Sequence, residues 1–573
     1  MRWVESGDVR LAVFEEGDPA APTLLLVHGY PDTHRVWDEV AERLRDRFHV
    51  VRYDVRGAGR STAPSGRHRY GLDHLAADLA AVIDAIGKPR VHLVGHDWGS
   101  LQGWDAVARP GLRERIASFT GFGGPGLAQS ERFFRSGDLR AVAGQAARSF
   151  HIGAFQLPLL PELAWQTFMP PLMERTLRRS DGVGPRPGHP AETLPKDARN
   201  GLELYRANTF TRRGPAGDPR VDVPVQLIEC LRDPFVSTAL LESLRPWAPR
   251  LWHRRIAAGH WAQRGRPDLI ARMIAEFAGH VEGEPESRSL RRARVDPGRK
   301  AFAGRLVVVT GAGAGIGRAT ARAFAAHGAE VVCADIDADA ARLAADGIAK
   351  DLAGTAYALT VDVADAEGMA AFAERVRAEH GVPDIVVNNA GIVVVGGILD
   401  HSPDDWRRTI DVNLWGVIHG CRLFGAQMAE RGEGGHIVNI ASVAAFVPTR
   451  LLPAYSVSKA AVKSLSDCLR AELAGEGIGV SAICPGFVST TIARNATYVS
   501  GLSRDLSEEA LRRRAYPPER VAAHVLRAVH RNQAVVPVNA EGKMGYALSR
   551  ISPSALRGLA RLTGFPGNPV NRG

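Results

Sequence analysis

One short segment of the chain carries an aspartate where a nucleophile can project from the backbone. The segment is Gly95-His96-Asp97-Trp98-Gly99, and it directly follows an apolar run at 91–94. Small residues around a side chain allow a tight strand-to-helix turn that presents it to a cleft. A carboxylate is ionised near neutral pH, so it can attack tetrahedral carbon and form an alkyl ester without a base. We therefore expect Asp97 to be a nucleophile.

Hydrolysis of such an ester does require a base, and two later segments supply the candidates. His260 follows the apolar run 251–256 and is the predicted base, whereas Asp233 follows the run 225–228 and is predicted to orient it. The order of nucleophile, acid and histidine along the chain is the one that an α/β-hydrolase fold imposes. The backbone N–H groups of Tyr30 and Trp98 are the predicted oxyanion hole.

A second set of reactive residues, far downstream, suits proton transfer at an alcohol or a ketone. Tyr455 and Lys459 are spaced i, i+4 on a predicted helix, so they share a face. A lysine ammonium favours the phenolate, and we expect it to lower the pKa of the tyrosine towards neutrality. Ser442 ends the predicted strand 436–440 and could hold the substrate oxygen.

A glycine-rich turn precedes these residues and suits a dinucleotide. The turn, Thr310 to Gly317, follows a predicted strand and opens a predicted helix, whose N-terminus would hold the pyrophosphate. Asp335 ends the next strand, where its carboxylate could bind the adenosine ribose hydroxyls and would repel a 2′-phosphate. The predicted cofactor is therefore NAD, with NADP less favoured.

Two successive alternations of apolar strands and helices must position these residues. In the first half, strands are predicted at 23–27, 49–53, 91–94, 225–228 and 251–256. The alternation stops between 124 and 221, where Pro, Phe, Trp and Leu are frequent, and a lid over the active site is predicted there. In the second half, strands are predicted at 306–309, 330–333, 358–361, 384–387, 436–439 and 479–483.

The predicted fold class is α/β with two domains. An α/β-hydrolase fold with a helical lid is followed by a Rossmann-like, doubly wound parallel sheet. Residues 281–303 are charged and lack apolar periodicity, which predicts a linker. The predicted boundaries are a hydrolase domain at 1–280 with its lid at about 124–221, this linker, a dehydrogenase domain at 304–545 and a basic tail at 546–573.

The first half resembles the epoxide hydrolase branch of the α/β-hydrolase family. The motifs that carry the resemblance occur in order at 28–33, 54–61, 95–100, 232–237 and 259–261. The resemblance implies hydration of an epoxide to a vicinal diol through an ester on Asp97. Two lid tyrosines of this branch hold the epoxide oxygen, and the resemblance assigns one of these roles to Tyr205. His151 stands at the place of the other tyrosine.

This substitution leaves two alternatives open beside an active epoxide hydrolase. Histidine can donate a hydrogen bond, but its protonation varies around pH 6–7, so the domain could be a catalytically weakened binding or assembly module. Haloalkane dehalogenation also uses an aspartate followed by a tryptophan. Tyr30 occupies the place where many dehalogenases have a halide-binding asparagine, which disfavours that reaction.

The second half resembles the short-chain dehydrogenase/reductase family over about 304–545. The resemblance is carried by the glycine-rich turn, 388–391, Asn413, Ser442, the segment 455–459 and the segment 485–490. It implies that Asn413, Ser442, Tyr455 and Lys459 are catalytic, with Asn413 supporting a proton relay. The implied cofactor-binding residues are Gly311, Gly315, Ile316, Gly317, Asp335, Asp362, Val363, Asn389, Ala390, Gly391, Tyr455, Lys459 and Thr490.

Composition limits the possible partners. The net charge is +10 and the pI about 9.6, but the positive residues are dispersed without a nucleic-acid motif, so nucleic acid is not a predicted partner. The five cysteines lack metal-ligand or redox spacing, so no metal is predicted. The N-terminus lacks the apolar core of a signal peptide and no apolar run approaches about 20 residues, which predicts a cytoplasmic protein.

The sequence therefore predicts a bifunctional cytoplasmic enzyme, an epoxide hydrolase joined to an NAD-dependent alcohol dehydrogenase. The apolar lid favours a hydrophobic or lipid-like substrate. Family resemblance implies a homo-oligomer through helices around 404–430 and 455–475 of the dehydrogenase domain. The basic tail could make a peripheral membrane contact, although such tails more often pack on their own domain.

Overall fold

The computed structural model describes residues 1–209, 220–447, 449, 451–489, 496–499, 516–552 and 554. The chain divides into two compact units, Met1–Pro297 and Gly298–Gly573. Each unit has its own central sheet and its own apolar core. The predicted fold class, α/β with a hydrolase fold followed by a Rossmann-like sheet, is confirmed.

The first unit is built on an eight-stranded sheet in the order β1-β2-β4-β3-β5-β6-β7-β8. The pairs β1–β2 and β2–β4 are antiparallel, and the remaining pairs are parallel. Strands β3 and β4 are buried along their whole length, as expected for strands covered on both faces. The strands are β1 Arg2–Ser6, β2 Val9–Glu16, β3 Thr23–Val27, β4 His49–Tyr53, β5 Val91–His96, β6 Ile116–Phe122, β7 Val225–Cys230 and β8 Leu251–Ile256.

Helices connect the parallel strands, and a group of short helices between β6 and β7 forms the lid. The connecting helices are His34–Trp37, Asp38–Leu44, Arg67–Tyr70, Leu72–Ile86, Trp98–Ala108, Pro110–Arg113, Thr238–Glu242, Arg245–Trp247, Ala262–Gly265 and Pro267–Val281. The lid helices are Leu127–Phe134, Leu139–Arg148, Phe150–Ala154, Leu160–Gln166, Met169–Ser180 and Leu194–Asn208.

The structure places a helix inside the segment 281–303, which the sequence predicts to be a linker. Arg288–Ala293 is helical and begins at Ser287, whose side chain accepts a hydrogen bond from the N–H of Leu290. Leu290 is buried with Trp252 and Phe277 in a small apolar cluster. A single apolar contact of this kind seats a helix of less than two turns, which is too short to produce a visible sequence period.

The second unit contains a seven-stranded, all-parallel sheet in the order β11-β10-β9-β12-β14-β15-β17. Apolar clusters cover both faces of this sheet. The short strands β13 and β16 pair with each other outside it. The strands are β9 Leu306–Thr310, β10 Glu330–Asp335, β11 Ala356–Thr360, β12 Ile385–Asn388, β13 Val394–Val395, β14 Gly435–Ile440, β15 Ile478–Cys484, β16 Thr497–Tyr498 and β17 Val535–Pro537.

The helices of the second unit alternate with these strands. They are Gly315–Ala326, Ala338–Leu352, Ala366–His380, Pro403–Ile410, Asp411–Trp415, Gly416–Arg431, Val443–Ala445, Pro453–Leu473, Ala474–Glu476, Pro518–Arg531 and Ala540–Ile551. The predicted site residue Thr490 lies outside the described residues, as does most of the predicted tail 546–573. Among the helices that the structure describes, none is long and apolar enough to span a bilayer.

Candidate functional sites

Asp97 lies at the sharp turn between β5 and the helix Trp98–Ala108. Its backbone has φ of 51° and ψ of −118°, a conformation that a residue with a side chain seldom adopts. The turn closes because its neighbours lack side chains: a Cβ on Gly95 would lie 2.3 Å from the carbonyl oxygen of Gly99. A Cβ on Gly29, in the loop after β3, would lie 2.4 Å from the Cβ of Asp97. The strain holds the carboxylate towards the cleft.

Replacing Gly99 with alanine should disable the hydrolase domain. A Cβ at this position would lie 2.2 Å from the carbonyl oxygen of Val27, so the helix would have to move away from β3. We expect a loss of about 2 kcal/mol or more in the unfolding free energy of this unit, as for other overpacked sites. Thermal unfolding and hydrolase turnover would measure the effect.

Gly144→Ala is the matched control, because a Cβ on this lid-helix glycine would have no neighbour within 4 Å. It should leave the melting temperature unchanged or slightly raised, since alanine is the better helix former. Dehydrogenase turnover in the same chains provides an internal reference. A Gly99→Ala chain with wild-type melting and turnover would contradict the packing argument.

The predicted base and its predicted acid partner are in contact. His260 Nδ1 lies 2.8 Å from Asp233 Oδ2, and His260 Nε2 lies 3.8 Å from Asp97 Oδ2. The first distance is that of a hydrogen bond, and the second leaves the imidazole facing the nucleophile without one. Burial lowers the pKa of His260, but the charges of Asp233 and Asp97 outweigh it and raise that pKa to about 9.

The carboxylate of Asp97 already occupies the predicted oxyanion hole. The N–H of Tyr30 donates to Asp97 Oδ1 at 2.7 Å, and the backbone N–H of Trp98 also donates to the carboxylate. Burial raises the pKa of Asp97 to about 6, against the opposing charge of His260 and these two donors. Oδ1 is thus held by the N–H of Tyr30, while Oδ2 faces His260.

Two neighbours of the base were missed in the sequence. His96 is fully buried, its Nε2 lies 2.9 Å from the carbonyl oxygen of His260, and its Nδ1 lies 2.9 Å from the Gln263 side-chain nitrogen. Burial lowers the pKa of His96 to about 3, so the ring is neutral and donates to the His260 carbonyl. His96 ends β5 and Gln263 lies in the helix after β8, so the strand order that brings Asp97 to His260 brings these residues together as well.

The lid contributes a third carboxylate near His260. Asp181 ends the helix Met169–Ser180 and lies against Gly259, where a Cβ would be 2.6 Å from its Oδ1. Its charge is among those that raise the pKa of His260, and burial raises the pKa of Asp181 itself. The surrounding sequence has a loop-like composition, which gave no signal of this contact.

The two predicted lid residues lie in one aromatic cluster with Tyr30 and Trp98, whose backbone N–H groups donate to Asp97. The ring of Tyr205 is 5.0 Å from that of Trp98 and 5.2 Å from that of Tyr30, and His151 is 6.1 Å from Tyr205. Burial raises the pKa of the Tyr205 phenol well above its usual value and lowers the pKa of His151. At neutral pH both groups are therefore neutral hydrogen-bond donors. Phe155 packs on Tyr205 from the lid side, with ring centres 5.0 Å apart.

In the second unit, the glycine-rich turn leaves a concave surface of backbone at the start of the helix Gly315–Ala326. Gly311 and Gly315 have φ of 65° and 53°, and a Cβ on Gly317 would lie 2.0 Å from the carbonyl oxygen of Gly311. The side-chain amide of Asn389 donates to the carbonyl oxygens of Thr310 and Gly311 at 3.0 Å each. Such a turn fits a dinucleotide pyrophosphate.

Asp335 lies at the end of β10, beside this turn. Its carboxylate accepts hydrogen bonds from the N–H of Gly313 at 2.8 Å and the N–H of Asp337 at 3.1 Å. Asp362 accepts a hydrogen bond from the N–H of Ala364 in a local turn. Val363 packs against Gly416, where a Cβ would lie 2.7 Å from the Val363 side chain. The predicted cofactor residues at the ends of β9, β10 and β12 thus surround one edge of the sheet.

The predicted catalytic residues of this unit also converge. Burial raises the pKa of Tyr455, while a hydrogen bond with Ser442 lowers it, and Lys459 Nζ lies 5.7 Å from the tyrosine ring centre. The ammonium donates to the carbonyl oxygen of Ile440 at 2.9 Å, and burial lowers the pKa of Lys459 to about 8. The expected lowering of the tyrosine pKa by lysine is therefore wrong: burial raises the pKa of Tyr455, and the side chains that shift it are Ser442 and Cys484 rather than Lys459.

Asn413 is held in a π-helical turn, Asp411–Trp415, between two α-helices. Its side chain accepts from the N–H of Ile392 at 2.8 Å and donates to the carbonyl oxygen of Ile392 at 2.9 Å. A Cβ on Gly391 would lie 3.1 Å from Asn413 Oδ1 and 3.5 Å from Lys459 Nζ. π-turns of this kind are frequent at functional sites. Among the described residues, no group of three or more His, Cys, Asp or Glu side chains could hold a metal ion.

Comparison with known proteins gives a match to each unit. The family model for the α/β-hydrolase fold matches residues 22–267, and the model for short-chain dehydrogenases matches residues 305–498. "Probable oxidoreductase EphD" of Mycobacterium tuberculosis is 43% identical over 594 aligned residues, which cover 98% of this chain and 98% of that protein.

Other relatives match the second unit alone. D-threitol dehydrogenase of Mycolicibacterium smegmatis is 38% identical over 227 residues, covering 39% of this chain and 86% of its own. A solved short-chain dehydrogenase/reductase from Burkholderia phymatum, in complex with NAD, is 29% identical and covers 47% of this chain and 98% of its own, with a TM-score of 0.41.

Proposed function

Because the chain belongs to the family of bifunctional enzymes that fuse an α/β-hydrolase to a short-chain dehydrogenase, we propose a specific reaction for each half. The first hydrates an epoxide to a vicinal diol, and the second interconverts a secondary alcohol and a ketone with NAD(H). The observation that carries the first proposal is an aspartate, Asp97, at the nucleophile position, facing a base that is 2.8 Å from its own acid.

In the first step, Asp97 Oδ2 attacks an epoxide carbon and the carbon–oxygen bond of the ring breaks. Tyr205 is near the carboxylate and, because its phenol stays protonated, can give a proton to the leaving oxygen. His151 is on the same side of the cluster and donates a hydrogen bond to that oxygen. The product of this step is a neutral alkyl ester on Asp97.

In the second step, His260 takes a proton from water, and the hydroxide attacks the ester carbonyl carbon. Ester formation removes the negative charge of Asp97, which is one of the charges that raise the pKa of His260. The pKa of the histidine therefore falls at the stage when a base is required. The oxyanion forms at Oδ1, where the N–H of Tyr30 already donates. Its collapse breaks the carbon–Oδ2 bond, the leaving oxygen takes the proton held by His260 to complete the diol, and the proton released by the new carboxyl group returns to the Tyr205 phenolate.

Substitutions of the two lid residues test this proposal. With an aliphatic epoxide, Tyr205→Phe should slow formation of the Asp97 ester by about 10²-fold, because the leaving oxygen loses its proton donor. His151→Phe should have a smaller effect, about tenfold for one lost hydrogen bond. His151→Tyr should match or exceed the wild-type rate. Chromatography of the diol in samples quenched at fixed times would measure the rates of all three variants.

The alternatives give different results in the same assay. Halide release from a haloalkane, without diol from any epoxide, would favour a dehalogenase. Absence of both products from the wild-type chain would favour a binding or assembly module. A His151→Phe chain with an unchanged rate would restrict His151 to packing against Tyr205 and Phe235.

In the second domain, a nicotinamide cofactor supplies or accepts the hydride when it is bound. Tyr455 moves a proton to or from the substrate oxygen, and Ser442 holds that oxygen. Lys459 and Asn413 are positioned behind the tyrosine by the backbone carbonyl groups of Ile440 and Ile392. The residues of the glycine-rich turn fit a nicotinamide dinucleotide, and members of the short-chain dehydrogenase family bind NAD(P).

The preference for NAD rests on Asp335. Two backbone N–H donors fix its carboxylate beside the glycine-rich turn, where it would repel a 2′-phosphate. Asp335→Ser should change the ratio of kcat/KM for NAD over NADP by roughly 10²-fold towards NADP, the size of one like-charge contact. The exposed helix residue Asp346 provides the matched control, since Asp346→Asn should leave the ratio unchanged. A ratio that Asp335→Ser does not move would remove the argument for NAD.

A further inference from the structure

The lid exposes an unusual amount of apolar surface along one continuous segment, 157–172. Six large apolar side chains there are between 47% and 71% exposed: Leu157, Leu159, Leu160, Leu163, Phe168 and Leu172. We call this set the lid rim. The one charged residue in the segment is Glu162, and its carboxylate pairs with the buried Arg206 at 2.7 Å. The rim therefore presents apolar surface without an unpaired acidic group.

The lid rim is not the packing face of its helices. The inner face of these helices is supplied by Trp165, Met173 and Leu177, which are buried in the main apolar core. The apolar residues of the rim are additional to those that seat the lid. Isolated exposed apolar residues are ordinary on proteins, but a contiguous set on one edge marks an interaction surface.

Leu159 shows that the backbone favours this exposure. It has φ of 65°, a left-handed conformation that is costly for a leucine, and its side chain is 71% exposed. The adjoining helix Leu160–Gln166 then begins with Leu160 also exposed. Strain that directs an apolar side chain into water has no benefit for the isolated domain, which points to a function of the exposed side chain.

Positive charge borders the apolar surface. On the helix Met169–Ser180, Arg175 and Arg179 continue the face that starts with Phe168 and Leu172, because these four positions follow a helical period. Arg178 is beside them, and all three arginines are exposed. An apolar edge bordered by guanidinium groups is complementary to the interface of an anionic bilayer, where acyl chains lie next to phosphate groups.

We propose that the lid rim docks the hydrolase domain on the surface of an anionic lipid bilayer. A second copy of the chain is a poorer occupant, because a twofold contact would place the same arginines against each other. The rim begins two residues after Phe155, which contacts Tyr205 in the aromatic cluster. Docking would therefore bring the apolar phase close to the active-site lining. This last consequence rests on the proposed epoxide hydrolysis, whereas the docking itself does not.

The test is sedimentation of the full chain with vesicles of phosphatidylglycerol and phosphatidylcholine, without any substrate. The triple variant Leu159→Ser, Leu160→Ser, Leu163→Ser should reduce the association constant for the vesicles by at least about tenfold, because three apolar side chains leave the interface. Replacing Arg175, Arg178 and Arg179 with glutamine should weaken binding by about fivefold per arginine on these vesicles. The arginine variant and the wild type should bind pure phosphatidylcholine equally.

Two exposed leucines outside the lid rim serve as controls, and one further variant separates docking from folding. Leu343→Ser and Leu399→Ser remove leucines that are 71% and 97% exposed elsewhere in the chain, and neither should change vesicle binding. Leu159→Gly removes the rim side chain and the left-handed strain together. It should weaken vesicle binding while the melting temperature stays equal or rises.

Three results would overturn the proposal. They are a wild-type chain that stays in the supernatant, a serine triple variant that binds as tightly as the wild type, and a triple variant whose sole change is a smaller oligomer by light scattering. Because no epoxide is present, an inactive hydrolase domain would not affect the outcome. A wild-type chain that binds vesicles but hydrates no epoxide would instead contradict the proposed function.

Discussion

A chain with His260 replaced by glutamine should retain the alkyl ester on Asp97 after exposure to an epoxide. Glutamine can still bond to Asp233, but it cannot accept a proton from water, so the second step stops while the first continues. We expect diol turnover to fall by roughly 10⁴-fold. Intact mass should increase by the mass of one epoxide, and peptide mapping should place the increase on Asp97.

The pH dependence of this trapping has a defined sign. Asp97 attacks as the carboxylate, and burial already raises its pKa to about 6 in the wild-type chain. Loss of the positive charge on His260 removes an interaction that lowers this pKa, so the pKa of Asp97 should rise further in the variant. Adduct formation should therefore increase with pH through the neutral range and reach a plateau under mildly alkaline conditions.

The double variant Asp97→Ala, His260→Gln is the control and should acquire no mass. Its dehydrogenase turnover should equal that of the wild-type chain. An adduct that persists without Asp97 would identify a different nucleophile. A single variant that folds, fails to gain mass and leaves the epoxide unchanged would support the binding-module alternative.

Replacing Tyr455 with phenylalanine should lower dehydrogenase turnover by about 10³-fold, the usual range for one acid–base group. The phenol is the group that exchanges a proton with the substrate oxygen, and Ser442 already bonds to it. Substrate binding should change much less than kcat, because the ring and its packing are kept. The measurement is initial-rate kinetics with NAD and a panel of secondary alcohols, while epoxide hydrolysis in the same chain should be unaffected.

Tyr357→Phe provides the matched control in the same domain, since Tyr357 stacks on His380 rather than on the site. It should keep wild-type turnover. Lys459→Met tests the second part of the arrangement: it removes the ammonium that donates to the carbonyl oxygen of Ile440 and lies 5.7 Å from the Tyr455 ring centre, so dehydrogenase turnover should fall. Equal turnover in the Tyr455→Phe and Tyr357→Phe chains would contradict the assignment.

The meeting of the catalytic residues could be predicted from the sequence because the carboxyl ends of parallel strands lie at one edge of a sheet. Asp97, Asp233 and His260 follow β5, β7 and β8, and these positions together with the order of nucleophile, acid and histidine along the chain predicted that they meet. The same logic placed the glycine-rich turn after β9 beside Asp335 at the end of β10, whereas the residues after β12 were assigned by the family resemblance. Local spacing was equally sufficient for Tyr455 and Lys459, which share a helix.

Contacts between distant segments that lack an apolar period could not be predicted from the sequence. Nothing in the lid sequence indicates that Asp181 reaches Gly259 or that His151 lies beside Tyr205. The antiparallel strands β1 and β2 were also missed, because their half-polar composition resembles that of a loop. The pKa of Tyr455 differed from expectation for a related reason, since burial depends on the whole fold rather than on a neighbour in the helix.

The hydrogen bond from Tyr30 to Asp97 Oδ1 has a consequence for the fate of individual oxygen atoms. Under the proposed mechanism, Oδ2 leaves with the diol, and the oxygen of the attacking water takes its place in the carboxylate. The N–H of Tyr30 restrains Oδ1, so the two oxygens do not exchange positions freely between turnovers. Each diol therefore contains the oxygen atom that water supplied to Asp97 in the previous turnover. After a change to isotopically labelled water, the first diol released by each chain should carry no label from the new solvent, and the second should carry it.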